Sequence, residues 1–328
     1  PDEYDFVRVD DTPVDRERVA YTAELAAPET AAIVGGGYVG IEMAEALRGR
    51  GLDVHLFQRS GHVLPPFGET VAERVEAELV EQGVAVHTNT PVKALVGEDR
   101  IEAVAFDGAE LAVDLAVVGV GIQPNTELLA GTGIELGAGG AIRVDDHGRT
   151  NLPEVYAAGD CGTARHTVTG EETWLPLGLT ANRGGRAIGS TVAGEPTPVG
   201  DIAGTAVVKA FDQECGRAGL VDEAAAVEAG FDPVSAAITA GSRSGYYPGA
   251  AETDVTLVAD RETGRLLGGT IVGPDRAAVR IDTLSTALDA GMTVEEVEQL
   301  DLAYAPPFSP VWDPVLVAAK VLNGRLDN

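Results

Sequence analysis

Lysine is almost missing from this chain. Lys93, Lys209 and Lys320 are the only three among 328 residues, and every other Lys/Arg-type cation is arginine. Lys+Arg total 23 against 52 Asp+Glu, a formal net charge of −29. A surface this acidic repels phosphate backbones and anionic lipid, which argues against nucleic-acid and membrane-surface roles. It is the composition of a halophile protein, in which carboxylates hold water and greasy lysine stems are thinned out. Cysteine is scarce too: Cys161 and Cys215 make no disulfide framework in a chain of this length. No apolar run approaches the ~20 residues of a membrane span, and no secretory signal is visible, so the cytoplasm is the expected compartment. An initiator methionine is absent as well. The sequence opens Pro1-Asp2-Glu3, as a processed product or part of something longer would.

What is present reads as a soluble globular protein of two or three domains, 45% apolar and 23% charged. Residues 1–27 are polar, with one helix expected around Arg16–Ala26. Ala31–Val34 is then a short apolar run suited to a buried parallel strand. Gly35-Gly36-Gly37-Tyr38-Val39-Gly40 follows directly and leads into a helical pattern of Ile41, Ala44 and Leu47. A lone G-x-G-x-x-G is weak evidence, but this one lies between strand and helix inside a βαβ unit. Gly35 permits the tight turn, Gly37 lets the backbone approach a pyrophosphate, and Gly40 lets helix and strand pack closely. Strands at Val54–Phe57 and Val84–His87, a helix at Thr70–Gln82 and a strand at Leu115–Val120 complete a βαβαβ pattern over 28–121. The end of the second strand selects the nicotinamide cofactor: an acid binds the ribose of NAD, whereas arginine accommodates the 2′-phosphate of NADP. Here Gln58 stands where the acid is expected and Arg59 follows, so NADP is expected over NAD. From 202 onward the pattern is α+β, with a hairpin across Asp260–Gly264 and helices at Ala277–Ala290, Thr293–Leu300 and Pro314–Leu322.

The stretch Thr150-Asn151-Leu152-Pro153-Glu154-Val155-Tyr156-Ala157-Ala158-Gly159-Asp160 carries the most specific signal. It resembles the second FAD motif of the pyridine nucleotide–disulfide oxidoreductases, which bind two dinucleotides. That resemblance covers 28–328 and implies a Rossmann-like NAD(P) domain (28–121), the C-terminal part of an FAD domain (122–201) and an α+β dimerisation domain (202–328). Residues 1–27 would be a linker or the edge of the FAD domain. It implies that Asp160, after Gly159 at a strand end, bonds the ribityl or pyrophosphate part of FAD, and that Val118–Asn125, with Gly121, is the return crossing between the two domains. Glu42 matches the acid placed near the flavin–nicotinamide contact. The alternative for Glu42 is a solvated first-turn glutamate favoured by the helix dipole.

Within the family, residues 28–121 hold no cysteine, which removes the branch with Cys-x-x-Cys in that domain. The histidines are His55, His62, His87, His147 and His166, so the branch with a C-terminal His–Glu pair is removed too. The single-cysteine branch remains. Gly245–Gly249 and Asp301–Pro314 are similar to segments of coenzyme A-disulfide reductases. In those enzymes, tyrosines from both segments reach the active site of the partner subunit. By this resemblance Tyr304 and one of Tyr246/Tyr247 donate a proton to the departing thiolate in a homodimer; aromatics simply packing an interface are the alternative. The implied redox cysteine follows a first G-x-G-x-x-G that this sequence does not contain, so it is expected in an N-terminal segment before Pro1. Cys161 follows the flavin-side aspartate and Cys215 sits among acids that raise a thiol pKa; neither is a good substitute. Arg217, Arg243 and Arg276 are candidates for the positive patch an anionic coenzyme A needs. An NADH oxidase or peroxidase of the same fold, and a truncated, non-catalytic nucleotide-binding dimer, remain as other readings.

Overall fold

The computed structural model describes Phe6–Val7 and residues 28–326. The helix expected at Arg16–Ala26 lies outside the described residues. A five-stranded parallel sheet is ordered β1-β8-β2-β3-β4, from β1 (Phe6–Val7), β2 (Thr30–Val34), β3 (Asp53–Phe57), β4 (Val84–His87) and β8 (Leu115–Val118). The crossovers are α1 (Tyr38–Arg48) and α2 (Glu69–Glu81). Both are amphipathic. Ile41, Ala44 and Leu47 of α1, and Val71, Val75 and Leu79 of α2, are buried at helical spacing. Truncating Ile41, Leu47 or Leu79 to alanine would cost about 2–5 kcal/mol each. The antiparallel meander β5 (Val92–Val96), β6 (Ala103–Phe106) and β7 (Ala109–Ala112) covers Phe57 and Ala116 with Val104 and Ile101.

The second sheet is antiparallel, ordered β11-β12-β15-β14-β13. Its strands are β11 (Ala206–Ala210), β12 (Gln213–Gly219), β13 (Pro233–Gly241), β14 (Glu252–Asp260) and β15 (Leu266–Gly273). Helices α5 (Ala277–Asp289), α6 (Val294–Glu298) and α7 (Pro314–Leu326) pack on it. A short helix α4 (Glu223–Glu228) is capped by Asp222, which accepts from the Ala225 N–H at 2.8 Å. The sequence reading contains neither β12, β13 nor α4. Strand β12 carries glycine because α5 presses on it: a Cβ at Gly216 would lie 2.8 Å from that of Ile281.

Helices α1 and α2 also dock onto this sheet. Glu45 accepts from Lys209 Nζ at 2.8 Å and from the Phe211 N–H at 2.9 Å, and Glu78 accepts from Gln213 Nε2 at 3.2 Å. One apolar core runs from Ile33 and Leu47 through to Val208, Cys215 and Val272. Between the sheets, residues 122–201 hold the hairpin β9 (Ala164–Arg165) and β10 (Glu172–Thr173) and the helix α3 (Gly178–Val192). The strand expected before Asp160 is not formed as a ladder. Residues 155–158 are held instead by the Arg149–Tyr156 bridge and by the Ala157 N–H donating to the Gly148 carbonyl at 3.0 Å. Among the described residues, no helix is long and apolar enough to cross a membrane.

Candidate active site

The glycine turn is built by close contacts on one side and open space on the other. Gly35 has φ +110°, and a Cβ there would meet the Gly119 carbonyl oxygen at 2.2 Å. A Cβ at Gly40 would meet the Gly35 carbonyl oxygen at 1.9 Å. These two glycines let β2, β8 and α1 converge. Gly37 differs: it is the N-cap of α1, and a Cβ there would meet nothing within 4 Å. Its surface faces outward, beside the first free N–H groups of the helix and their partial positive charge. This cradle fits the pyrophosphate of a nicotinamide dinucleotide. Tyr38 and Val39 follow, half-buried, and Glu42 lies exposed in the next turn. The Tyr38 ring meets Phe67 edge-on at 5.4 Å. Burial raises the Tyr38 phenol above its usual pKa, against the pull of the neighbouring Arg217 guanidinium.

Gln58 is 7% exposed and turned inward. Its Oε1 accepts from the Gly36 N–H at 2.9 Å, and its Nε2 donates to Ser60 Oγ at 2.5 Å. The carboxamide therefore clamps the glycine turn to the end of β3, with both ends engaged. Leu64, held at φ +46°, adds a second clamp by donating its N–H to the Gly36 carbonyl at 2.8 Å. Arg59 is exposed, and no described residue pairs with it. In so acidic a chain, that leaves an exposed guanidinium, one residue past the Gln58 clamp, without a carboxylate partner among the described residues.

Asp160 is exposed, and its carboxylate takes no hydrogen bond from a described residue; its carbonyl accepts from Trp174 Nε1 at 2.8 Å. Gly159 before it has φ +85°. Helix α3 approaches from behind, where a Cβ at Gly184 would come within 3.1 Å of the Ala158 side chain. Gly121 has φ +105° and open space beside it. A spare carboxylate on a turn with bare backbone fits the hydroxyl-rich ribityl and diphosphate of FAD.

Tyr246 is 78% exposed and Tyr304 49%, whereas Tyr247 is half-buried. They lie on two loops of the C-terminal domain, and Phe308 and Trp312, further along the Tyr304 loop, are exposed as well. The three candidate arginines are not one patch. Arg243 is paired with Asp275 at 2.8 Å, and Arg276 lies over the Phe308 ring at 5.4 Å. Arg217 instead lines a cavity of about 360 Å³ with Pro65, His166, Leu175 and Asp222. Cys215 is fully buried, and its thiol is pushed up to about 12 by burial and, second, by Glu214. Cys161 is half-buried and donates to the Ala158 carbonyl at 3.3 Å. Sequence reasoning missed Arg280 and Asp313. The signal was a charged residue inside the apolar stripe of Ala277, Ile281, Leu284 and Leu288.

The comparisons with known proteins point to one family. The family described as pyridine nucleotide-disulphide oxidoreductase matches residues 6–176, and its dimerisation domain matches 205–314. The NAD(P)H coenzyme A polysulfide/persulfide reductase of Pyrococcus horikoshii is 39% identical over 95% of this chain and 70% of its own. The NADH oxidase of Methanocaldococcus jannaschii is 36% identical over 90% of this chain and 66% of its own. The structure of an NAD-dependent persulfide reductase from A. fulgidus superposes with a TM-score of 0.93 at 36% identity, over 98% of this chain. This chain spans 60% of that protein's length. The chain belongs to the pyridine nucleotide-disulphide oxidoreductases.

Proposed function

We propose that the protein uses NADPH, through FAD, to reduce a disulfide or persulfide of coenzyme A. In balance, NADPH, one proton and one disulfide give NADP⁺ and two thiols. Bound FAD supplies the two-electron relay between nicotinamide and sulfur. The chain's own residues bind, orient and protonate. The Gly37 turn and the start of α1 hold the nicotinamide-side pyrophosphate, and Arg59 takes the 2′-phosphate. Asp160 accepts hydrogen bonds from the flavin nucleotide. Two copies associate through the 202–328 domain, and Tyr304 with Tyr246 or Tyr247 gives a proton to the thiolate leaving the other copy's site. The nucleophilic thiol is a residue outside this sequence, because Cys215 is buried with its thiol near 12 and Cys161 donates to backbone.

The observation that carries this reading is the cradle at Gly37 together with the free carboxylate of Asp160 and exposed tyrosines on a dimerisation domain. The test uses full-length, FAD-loaded protein with coenzyme A disulfide, counting thiols formed and oxygen consumed per NADPH. Two thiols per NADPH are expected. Stoichiometric oxygen consumption without thiol would favour an oxidase, the activity named for the M. jannaschii relative. Protein that binds no flavin would point to a non-catalytic dimer. For Arg59, R59E should lower the ratio of kcat/KM for NADPH over NADH by about 10- to 100-fold, the worth of one charge-assisted phosphate contact. An unchanged ratio would sink the NADPH assignment.

A further inference from the structure

One buried guanidinium joins the two loops that carry the exposed tyrosines. Arg280 is the fourth residue of α5 and is 7% exposed. Its Nε donates to Asp313 Oδ2 at 2.9 Å and its Nη1 to the Asp275 carbonyl at 3.2 Å. Its Nη2 donates to two carbonyls, those of Ser242 and of Phe308, the second at 3.3 Å. Ser242 stands four residues before Tyr246, and Phe308 four residues after Tyr304. Each loop is in turn closed on itself. The Ser242 N–H donates to the Ala251 carbonyl at 2.7 Å, and the Ala251 N–H returns to Ser242 Oγ at 3.1 Å. On the other side, the Ser309 N–H donates to the Ala305 carbonyl at 3.0 Å. Asp313 also accepts from Ser309 Oγ at 3.0 Å and from the Val315 N–H at 3.0 Å, at the start of α7.

A buried ion pair adds little stability over well-packed apolar side chains, because both charges must be stripped of water. What a guanidinium adds is direction: five N–H donors in one rigid plane. Here that plane is spent on one carboxylate and three backbone carbonyls drawn from three loops. We propose that Arg280, with Asp313, is the positioning residue that fixes Tyr304 and the Tyr246/Tyr247 pair relative to each other. Arg280 touches no tyrosine ring; it acts through the backbone of their loops. This rests on the assignment of those tyrosines as proton donors to the leaving thiolate. Misplacing such a donor by about 1 Å costs on the order of 100-fold.

The experiment compares R280K, Y304F and the double variant in the full-length, FAD-loaded protein. R280K keeps the charge but not the planar fork. Turnover with coenzyme A disulfide is expected to fall by about 10- to 100-fold in R280K. The rate of flavin reduction by NADPH and the dimer mass should stay unchanged. The alkaline limb of the kcat profile should shift, and R280K should have almost no further effect in the Y304F background, since the two act in series. Full additivity of the two substitutions, or an R280K enzyme with wild-type kcat, overturns the positioning role. Wild-type turnover in Y304F, Y246F and Y247F would overturn the tyrosine assignment instead, so the two failures are distinguishable. Should R280K not fold, D313N carries the same comparison, because its amide turns a donor toward Arg280 while still accepting from Val315.

Discussion

Replacing Gly37 by alanine should separate cofactor binding from folding. The backbone there has φ −84° and ψ −167°, which alanine adopts freely, and the added methyl meets nothing within 4 Å. Loss of a flexible glycine from the unfolded chain gains about 0.4–1 kcal/mol. Loss of a tolerated N-cap residue costs about the same. Stability should therefore change by less than about 1 kcal/mol. On the proposed function, the methyl nevertheless stands where a pyrophosphate oxygen approaches the helix N–H groups. Losing one or two charge-assisted hydrogen bonds, about 1.5–3 kcal/mol each, raises Kd for NADPH by about 10-fold or more. Gly40→Ala is the contrast. Its methyl would lie 1.9 Å from the Gly35 carbonyl oxygen, so α1 must move away from β2. Overpacking of that kind costs about 1–3 kcal/mol or more. Urea melts and NADPH titrations of both variants check the pair. A G37A protein that binds NADPH like wild type, or a G40A protein that melts like wild type, would refute the reasoning.

Three further outcomes follow from the same geometry. Cys215→Ser should leave turnover unchanged, and alkylating reagents should reach Cys215 only on unfolding, because its thiol is buried with a pKa near 12; peptide mapping after labelling checks this. Burial and, second, the Arg217 charge push the His166 imidazole below its ordinary pKa, and its Nδ1 accepts from the Val168 and Thr169 N–H groups at 3.3 and 3.4 Å. Its folded pKa lies below the ordinary value, so this contribution is complete above about pH 6.5 and is lost as pH falls from there through the folded pKa. His166→Gln should flatten that part of the stability profile in urea melts across the window. A net charge of −29 predicts a thermal midpoint that rises with potassium chloride, as the Debye length falls from about 10 Å at 0.1 M to 3 Å at 1 M; a flat salt series would refute self-repulsion as a destabilising force.

The cradle was legible in the sequence because its physics is local. An apolar run, three spaced glycines and a helical stripe are contiguous, and only glycine meets the φ of +110° at Gly35. Strand β12 was not legible, because Gln213-Glu214-Cys215-Gly216-Arg217-Ala218-Gly219 has little strand propensity. Its pairing with β15 and the pressure of Ile281 on Gly216 decide it, and both are distant in sequence. Strand β13 begins at Pro233, which an edge strand tolerates, and edge position is a property of the assembled sheet. Gln58 was correctly placed at the strand end, but its inward turn depends on a free N–H at Gly36 that only the folded loop presents.

The docking of α1 and α2 on the C-terminal sheet has a consequence for how the protein can be divided. Val208, Ala210 and Cys215 belong to the same apolar core as Ile33 and Leu47, so the nucleotide-binding unit borrows part of its interior from residues more than 150 positions downstream. A fragment ending before Thr205 would bare that flank to water, and Glu45 and Glu78 would lose their acceptor roles there. The boundary between the two sheets is therefore a seam in function but not in cohesion. Recombination or truncation at that seam would cut through a core.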